Sequence, residues 1–276
     1  MSTARRQHLP QGASPATRPD TDPPLPERVD PLRAVIFDVD GTLADTERDG
    51  HRVAFNEAFE AAGLHYRWDV EEYGELLTIT GGRRRIEHYL QSSGHSPTEA
   101  AALTVQLHRD KTHRFAALVR TGAIQSRPGA AELISALRTE GVATAVATTG
   151  TDDWVLPLLD MLFGLDAFDV VVTGSDVTDL KPHPAVYLET LVRLHLTPAD
   201  AVAVEDSANG VQAAVSAGLR CVAVVNEYTR DQDLSGAVAV LDDLARPDGV
   251  SVLRGDPQWA EGLTVAALRR LVAGGA

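Results

Sequence analysis

Asp38 and Asp40 stand one residue apart, directly after the apolar run Ala34-Val35-Ile36-Phe37, and Gly41 and Thr42 follow them. Two carboxylates held this close are costly unless something positive balances them, and a divalent cation is the usual solution. Three later stretches add groups of the same kind: Thr148-Thr149-Gly150-Thr151, then Lys181-Pro182-His183-Pro184, then Glu205-Asp206-Ser207. Each alone has an ordinary reading as an Asx turn, a capping threonine, a solvated lysine or an acidic turn. Together, in this order, they fit phosphoryl transfer through a covalent aspartyl phosphate. A carboxylate attacks phosphorus in line, and a cation offsets its repulsion from the phosphate. A hydroxyl (Thr148) and an ammonium (Lys181) hold the transferring oxygens. Asp40, two residues beyond Asp38, is placed to protonate the leaving oxygen and later to take a proton from water. Asp38, the Asp40 backbone carbonyl and Asp206 offer oxygen ligands only, which selects Mg²⁺ over zinc.

The elements that must position these groups are legible in the hydrophobic pattern. Ala34–Phe37 is apolar at every position, as in a buried parallel strand. From Ile124 onward strands and helices alternate. Expected strands are Val142–Ala147, Val170–Thr173, Ala201–Val204, Cys221–Val225 and Ala237–Leu241, with helices from Pro128, at Asp152–Phe163, His183–Leu196 and Ser207–Gly218. Pro157 inside the second of these helices is expected to kink it or delay its start. The fold class is therefore α/β, a doubly wound parallel sheet, whose strands deliver their carboxyl ends to one crevice. The four chemical stretches each follow such a strand.

Between the first and second strands the pattern is helical throughout. Val53, Ala54, Phe55, Ala58 and Phe59 have helical spacing up to Gly63; Asp69–Leu77 and Arg83–Leu90 follow, and Ser96-Pro97-Thr98-Glu99 is a capping box with proline at the first helical position. The expected organisation is a disordered tail over 1–30, a core over 31–45 and 124–245, a helical module over 46–123, and a C-terminal extension over 246–276 with a weak final helix at Leu263–Val272. The tail is rich in Pro, Ser, Thr and Arg without apolar period; a transit peptide is the lesser reading, because its prolines oppose an amphipathic helix.

Bulk properties exclude several classes. The chain has 276 residues and a formal net charge of −14, which argues against broad nucleic-acid binding. Cys221 is the single cysteine, so neither an intrachain disulfide nor a thiolate metal cluster is possible; its strand-like setting suits a buried, inert thiol. No apolar run approaches a bilayer span, and no secretory signal is present. The expectation is a cytoplasmic monomer acting on a small-molecule substrate, with no membrane or nucleic-acid partner.

The chain resembles the haloacid dehalogenase (HAD) superfamily of phosphatases and phosphomutases over about Pro31 to Leu241. The resemblance rests on Asp38-Val39-Asp40-Gly41-Thr42, Thr148, Lys181 and Glu205-Asp206. It implies that Asp38 is the nucleophile and Asp40 the acid/base. It also implies that Asp38, Asp40 and Asp206 hold Mg²⁺ with Glu205 in support, and that the helical block is the cap that closes over the site. A narrower similarity, to the CbbY family, is carried by Asp45–Arg52 with Phe55-Asn56, by Trp68–Leu77 leading into Thr80–Ile86, by Glu205–Gly210 and by Tyr228–Asp233. That similarity implies hydrolysis of xylulose-1,5-bisphosphate, an inhibitor of the carbon-fixing enzyme Rubisco, to xylulose 5-phosphate.

The cap residues point the same way independently. Gly81-Gly82 before Arg83-Arg84-Arg85 offers free N–H groups, a positive helix end and bidentate donors. This is the expected second phosphate site, although three consecutive arginines cannot all face one ligand. Glu47, Thr149 and Thr151 are candidates for the sugar hydroxyls, and Gly150 stands where a hydroxyl residue is common in the family. His108 and His113, five apart, are off-face for a metal pair and are expected on a solvated surface. Two rivals remain: a mutase of the β-phosphoglucomutase type, and a non-catalytic phospho-aspartate switch, which would need neither a cap nor Asp40.

Overall fold

The structure, a computed structural model, describes residues 32–246 and 248–274; the expected N-terminal tail lies outside them. Strands β1 (Ala34–Phe37), β2 (Ala143–Ala147), β3 (Val170–Val172), β4 (Ala201–Glu205), β5 (Arg220–Val224), β6 (Ala239–Leu241) and β7 (Val252–Arg254) form one sheet in the order β3-β2-β1-β4-β5-β6-β7. All pairs are parallel except β6 with β7. The chain thus reverses its strand order around β1, which is the switch point where such sheets bind ligands. Val35 and Phe37 pack into one hydrophobic cluster and Ala34 and Ile36 into a second. Period-two alternation therefore buries both faces, and that is why β1 is apolar throughout.

Helices cover both faces. They are α1 (Arg52–Ala61), α2 (Val70–Leu76), α3 (Gly82–Ser92), α4 (Pro97–Arg120), α5 (Ala130–Thr139), α6 (Asp152–Phe163), α7 (Ala185–Leu194), α8 (Ala208–Ser216) and α9 (Val265–Ala273). α6 begins at Asp152 despite Pro157, so the expected delay does not occur. The carbonyl that Pro157 leaves without a partner is that of Asp153, which is exposed and can be hydrated.

The first four helices have their own hydrophobic cluster, built around Phe55, Phe59, Trp68 and Tyr73. Trp68 is gripped by Phe55 and Phe59, at ring-centroid distances of 4.8 and 4.9 Å. Its backbone is pinned by the Asn56 side chain, which donates to the Trp68 carbonyl (2.8 Å) and accepts from its N–H (2.8 Å). The capping box at Ser96 and Glu99 opens α4 as expected. α4 belongs to both bodies: Ala100 and Leu107 pack with the cap helices, Phe115, Ala116 and Val119 with the sheet cluster.

Chain passes between sheet and cap lie side by side. Ala44 bridges Ser126, and Asp45 N–H donates to the Gln125 carbonyl (3.2 Å). Next to this ribbon, the buried Arg127 donates to the carbonyls of Gly41 (2.7 Å), Val225 (3.1 Å) and Asp242 (3.3 Å) and to Asp243 Oδ1 (3.2 Å).

Of the described residues after Arg246, several pack into the sheet. Strand β7 extends the edge, and Trp259, Leu263, Val265 and Leu268 join the cluster that contains Val35 and Phe37. Thr264 caps α9 by accepting from Ala267 N–H (3.2 Å). Among the described residues no helix is long and apolar enough to cross a membrane.

Asn56→Ala removes two part-buried hydrogen bonds to the Trp68 backbone. It is expected to lower stability by about 1–3 kcal/mol, read from urea denaturation followed by circular dichroism.

Candidate active site

Phe37 pairs with Val146 on one side and Val204 on the other, so the chain beyond β1, β2 and β4 leaves the sheet at one level. Asp38, Thr148, Glu205 and Asp206 sit there, all buried. Lys181 reaches the same point from the segment after β3. Its ammonium donates to Asp38 Oδ1 (2.6 Å), Glu205 Oε1 (2.6 Å) and the Ala147 carbonyl (2.8 Å), which uses all three of its N–H bonds. Tyr187 from α7 donates its hydroxyl to Glu205 Oε1 (2.6 Å). Below Glu205, Gly210 of α8 leaves the space the carboxylate needs: a Cβ there would lie 1.9 Å from Glu205 Oε2.

Ligand oxygens of Asp38, Glu205 and Asp206 lie within 4.8 Å of one another. Against these three carboxylates stands one ammonium. Burial pushes the Asp38 carboxyl well above the usual range; Lys181 offsets part of this, while Glu205 and Asp40 add to it. Asp206 is raised likewise, by burial and then by Asp38 and Glu205. Lys181 is opposed by burial, but the two carboxylates outweigh that and hold it above its ordinary value. A close set of buried carboxylate oxygens with surplus negative charge fits a hard divalent cation. The Asp40 carboxylate is outside this group.

Asp40 instead accepts a hydrogen bond from the Thr46 hydroxyl and meets His51 Nε2 at 3.0 Å. Lys111 Nζ lies 2.9 Å from His51 Nδ1. The ammonium can only donate, so Nδ1 is the acceptor and Nε2–H points at Asp40. Burial and Lys111 lower the His51 pKa, against Asp40, which favours this neutral tautomer. Burial would raise Asp40, but His51 and Thr46 prevail and hold it below the usual value. Lys111, brought down to about 8 by burial, sits over the rings of Phe55 and Phe115. His51 and Lys111 were not assigned a role from the sequence. They are 60 residues apart, and the one readable signal was a lysine on the buried stripe of α4, between Leu107 and Phe115.

A cavity of about 270 Å³ lies between this centre and the cap. Of the residues expected at the site, Asp38, Asp40, Glu47, Gly81, Arg85, Thr149, Lys181 and Asp206 line it. Thr148 is buried behind the lining, accepting from Gly150 N–H (3.1 Å) and keeping its own hydrogen to donate. Gly150 carries no side chain because Trp154 occupies the space: a Cβ would lie 2.2 Å from the ring. Gly82 and Thr151 are not among the lining residues. Nor are Arg83 and Arg84, which are exposed; at about 100° per residue only one of three consecutive arginines can face inward. That one is Arg85, buried, donating to the carbonyls of Leu76 (3.0 Å) and Ile79 (3.4 Å) and to Tyr73 Oη (3.2 Å). Tyr73 in turn donates to Glu47. Cavity residues without an assigned role in the sequence reading include Thr80, Asn209, Asn226 and Tyr228. His108 corrects an expectation. It is half-buried beside Gly82, and its pKa is pushed down to about 4 by burial, with Lys111 and Arg83 adding. His113 is exposed as expected.

The family model for haloacid dehalogenase-like hydrolases matches residues 32–218. The protein CbbY of Cereibacter sphaeroides is 45% identical over 226 residues, covering 80% of this chain and 96% of that protein. A crystal structure of a mutant CbbY from Rhodobacter sphaeroides in complex with xylulose-(1,5)bisphosphate superposes with a TM-score of 0.72 at 45% identity, covering 77% of this chain and 94% of that one. A putative β-phosphoglucomutase from Thermotoga maritima aligns with a TM-score of 0.58 at 29% identity, covering 76% and 94%. The chain belongs to the haloacid dehalogenase-like hydrolases and, within them, to the CbbY group. It is an enzyme, a phosphatase acting on phosphoric monoesters.

Gly210→Ala should push Glu205 away from Lys181. Loss of a supporting partner of this kind costs about 10–100-fold in activity, measured as phosphate release from a generic monoester such as para-nitrophenyl phosphate.

Proposed function

We propose that this protein is a Mg²⁺-dependent sugar bisphosphate phosphatase that converts xylulose-1,5-bisphosphate to xylulose 5-phosphate through a phosphorylated Asp38. The observation that carries this reading is Lys181 bound to Asp38 and Glu205, with Asp206 alongside, facing a cavity closed by the cap. Lys181 holds Oδ1 of Asp38 and leaves Oδ2 to attack phosphorus. The bond from phosphorus to the sugar oxygen breaks, and Asp40, held through Oδ1 by Thr46 and His51 and entering this step protonated on Oδ2, delivers that proton to the sugar oxygen. Asp40 then takes a proton from water, whose oxygen attacks phosphorus; the bond to Asp38 breaks and inorganic phosphate leaves. The Thr148 hydroxyl has its hydrogen free for a phosphoryl oxygen. Asp38, Asp206 and the Asp40 carbonyl, with Glu205 behind them, would hold Mg²⁺, which supplies charge compensation for the transferring group.

In this reading residues 46–123 are the cap, 31–45 and 124–245 the catalytic core, and residues after 246 complete the sheet. The CbbY complex with xylulose-(1,5)bisphosphate supports the substrate. So does Arg85, which has engaged three donor contacts and, with five N–H bonds in a guanidinium, retains others for a distal phosphate. Thr80 and the N–H groups at the start of α3 lie beside it. Glu47, fixed by Tyr73, and Thr149 face the sugar. The likeness to a putative β-phosphoglucomutase keeps one alternative, a mutase, in which phosphate returns to the sugar instead of to water.

Incubation with xylulose-1,5-bisphosphate and Mg²⁺ should release one phosphate and leave xylulose 5-phosphate, identified by mass spectrometry and NMR. An isomerised sugar bisphosphate without free phosphate would establish the mutase instead; no turnover above that of simple hexose phosphates would reject the substrate. Asp38→Asn should abolish turnover with an unchanged circular dichroism spectrum. Arg85→Ala is expected to raise KM for the bisphosphate about 10–100-fold, the worth of a hydrogen bond to a charged group. It should affect a monophosphate far less, and Arg84→Ala should change neither.

A further inference from the structure

The segment after β5 carries Asn226-Glu227-Tyr228-Thr229, none of which takes part in the steps above. At one end, Asn226 Nδ2 donates to Asp206 Oδ2 (2.7 Å). Its amide is locked in that direction, because Asn226 Oδ1 accepts from the Tyr228 N–H (2.9 Å) and Asn226 N–H donates to Thr229 Oγ1 (3.0 Å). At the other end the same few residues meet the cap. Glu227 pairs with Arg48 (2.9 Å) on the π-helical turn Glu47–His51, which also carries Glu47 and His51. The Tyr228 ring stands edge-on to Tyr73 of α2, centroids 6.0 Å apart. It also lies over Gly74, where an added Cβ would come within 2.9 Å of Cδ1 and 3.3 Å of Cε1. Gly74 is therefore the socket for the ring. Glycine inside a helix is unfavourable on its own, and here it is matched by a side chain from another body of the protein.

We propose that Asn226 and Tyr228 are positioning residues that join cap docking to the setting of Asp206, so that the carboxylate offered to the metal is correctly held only when Tyr228 is seated on Gly74. The proposal rests on the metal role assigned to Asp206 above. The coupling is short. Tyr228 contributes its ring to the cap and its N–H to Asn226, and Asn226 is one hydrogen bond from Asp206. When the ring leaves its socket the backbone at 228 is freed, and the Asn226 amide loses the bond that orients it. A ring contact of this kind needs no hydroxyl, so phenylalanine should serve at 228.

Three variants test this: Tyr228→Ala, Tyr228→Phe and Gly74→Ala. The last fills the socket with a residue that strengthens a helix, so any effect does not come from a weakened α2 and does not depend on Tyr228→Ala folding. Amide hydrogen exchange, without substrate and with Mg²⁺ present, is followed over residues 78–82 of the cap and 205–211 around Asp206. The Mg²⁺ concentration for half-maximal hydrolysis of para-nitrophenyl phosphate is measured in parallel. Tyr228→Ala and Gly74→Ala should speed exchange in both segments and raise the Mg²⁺ requirement, each by roughly two- to tenfold, as the loss of one aromatic packing contact implies. Tyr228→Phe should match the unmodified protein.

Faster exchange in the cap with no change around Asp206 and no change in Mg²⁺ requirement would overturn the coupling. So would Tyr228→Phe failing as Tyr228→Ala does, because the hydroxyl and not the seated ring would then matter. The exchange measurement needs no turnover, so this proposal can fail while the phosphatase reading stands; that reading fails separately if Asp38→Asn remains active.

Discussion

The site is organised by an excess of buried negative charge. Asp38, Glu205 and Asp206 are crowded at the ends of two neighbouring strands, and the protein offers them one ammonium, that of Lys181. Buried carboxylates without compensation are costly, and the rise in the Asp38 and Asp206 pKa values expresses that cost. Supporting groups are arranged around this tension. Tyr187 shares Glu205 with Lys181, Gly210 makes room beneath it, and Asn226 holds Asp206. A centre that is short of positive charge is also one prepared to receive a cation, and beyond it a phosphate whose charge the cation would offset.

Asp40 is treated in the opposite way. It is two residues from Asp38 on the same turn, but its neighbours are donors: Thr46, His51 and, behind the histidine, Lys111. The two aspartates thus have pKa values pushed in opposite directions by their surroundings, Asp38 upward and Asp40 downward. Both donors to Asp40, and the lysine behind the histidine, come from residues within or entering the helical module, so that module helps to set the surroundings of Asp40.

Much of this was legible because sheet residues announce themselves locally. Asp38 after Ala34–Phe37 and Glu205 after Ala201–Val204 are polar groups that break apolar runs, and parallel pairing brings such breaks together. The cap was harder. The phase of α3, which turns Arg85 inward and Arg83 and Arg84 out, depends on where Gly81 lets the helix begin, and three adjacent arginines look alike until that is fixed. The link from Asp40 through His51 to Lys111 joins distant segments by tertiary packing, and no spacing rule reaches it. His108 was expected in solvent because a five-residue interval says nothing about Gly82 lying against it. The edge strand β7 is three residues long, too short for its alternation to register.

The ribbon formed by Ala44 with Ser126 and by Asp45 with Gln125 has a mechanical meaning. Both passes of the chain into the cap are stitched together beside Arg127, whose guanidinium is riveted to the Gly41 carbonyl and to the chain beyond β5 and β6. A helical module attached by two separated cords could twist or slide against the sheet; a paired ribbon restrains both. That ribbon begins four residues past Asp40, so any strain on the helical module reaches the turn that carries Asp38 and Asp40 before it reaches the rest of the sheet.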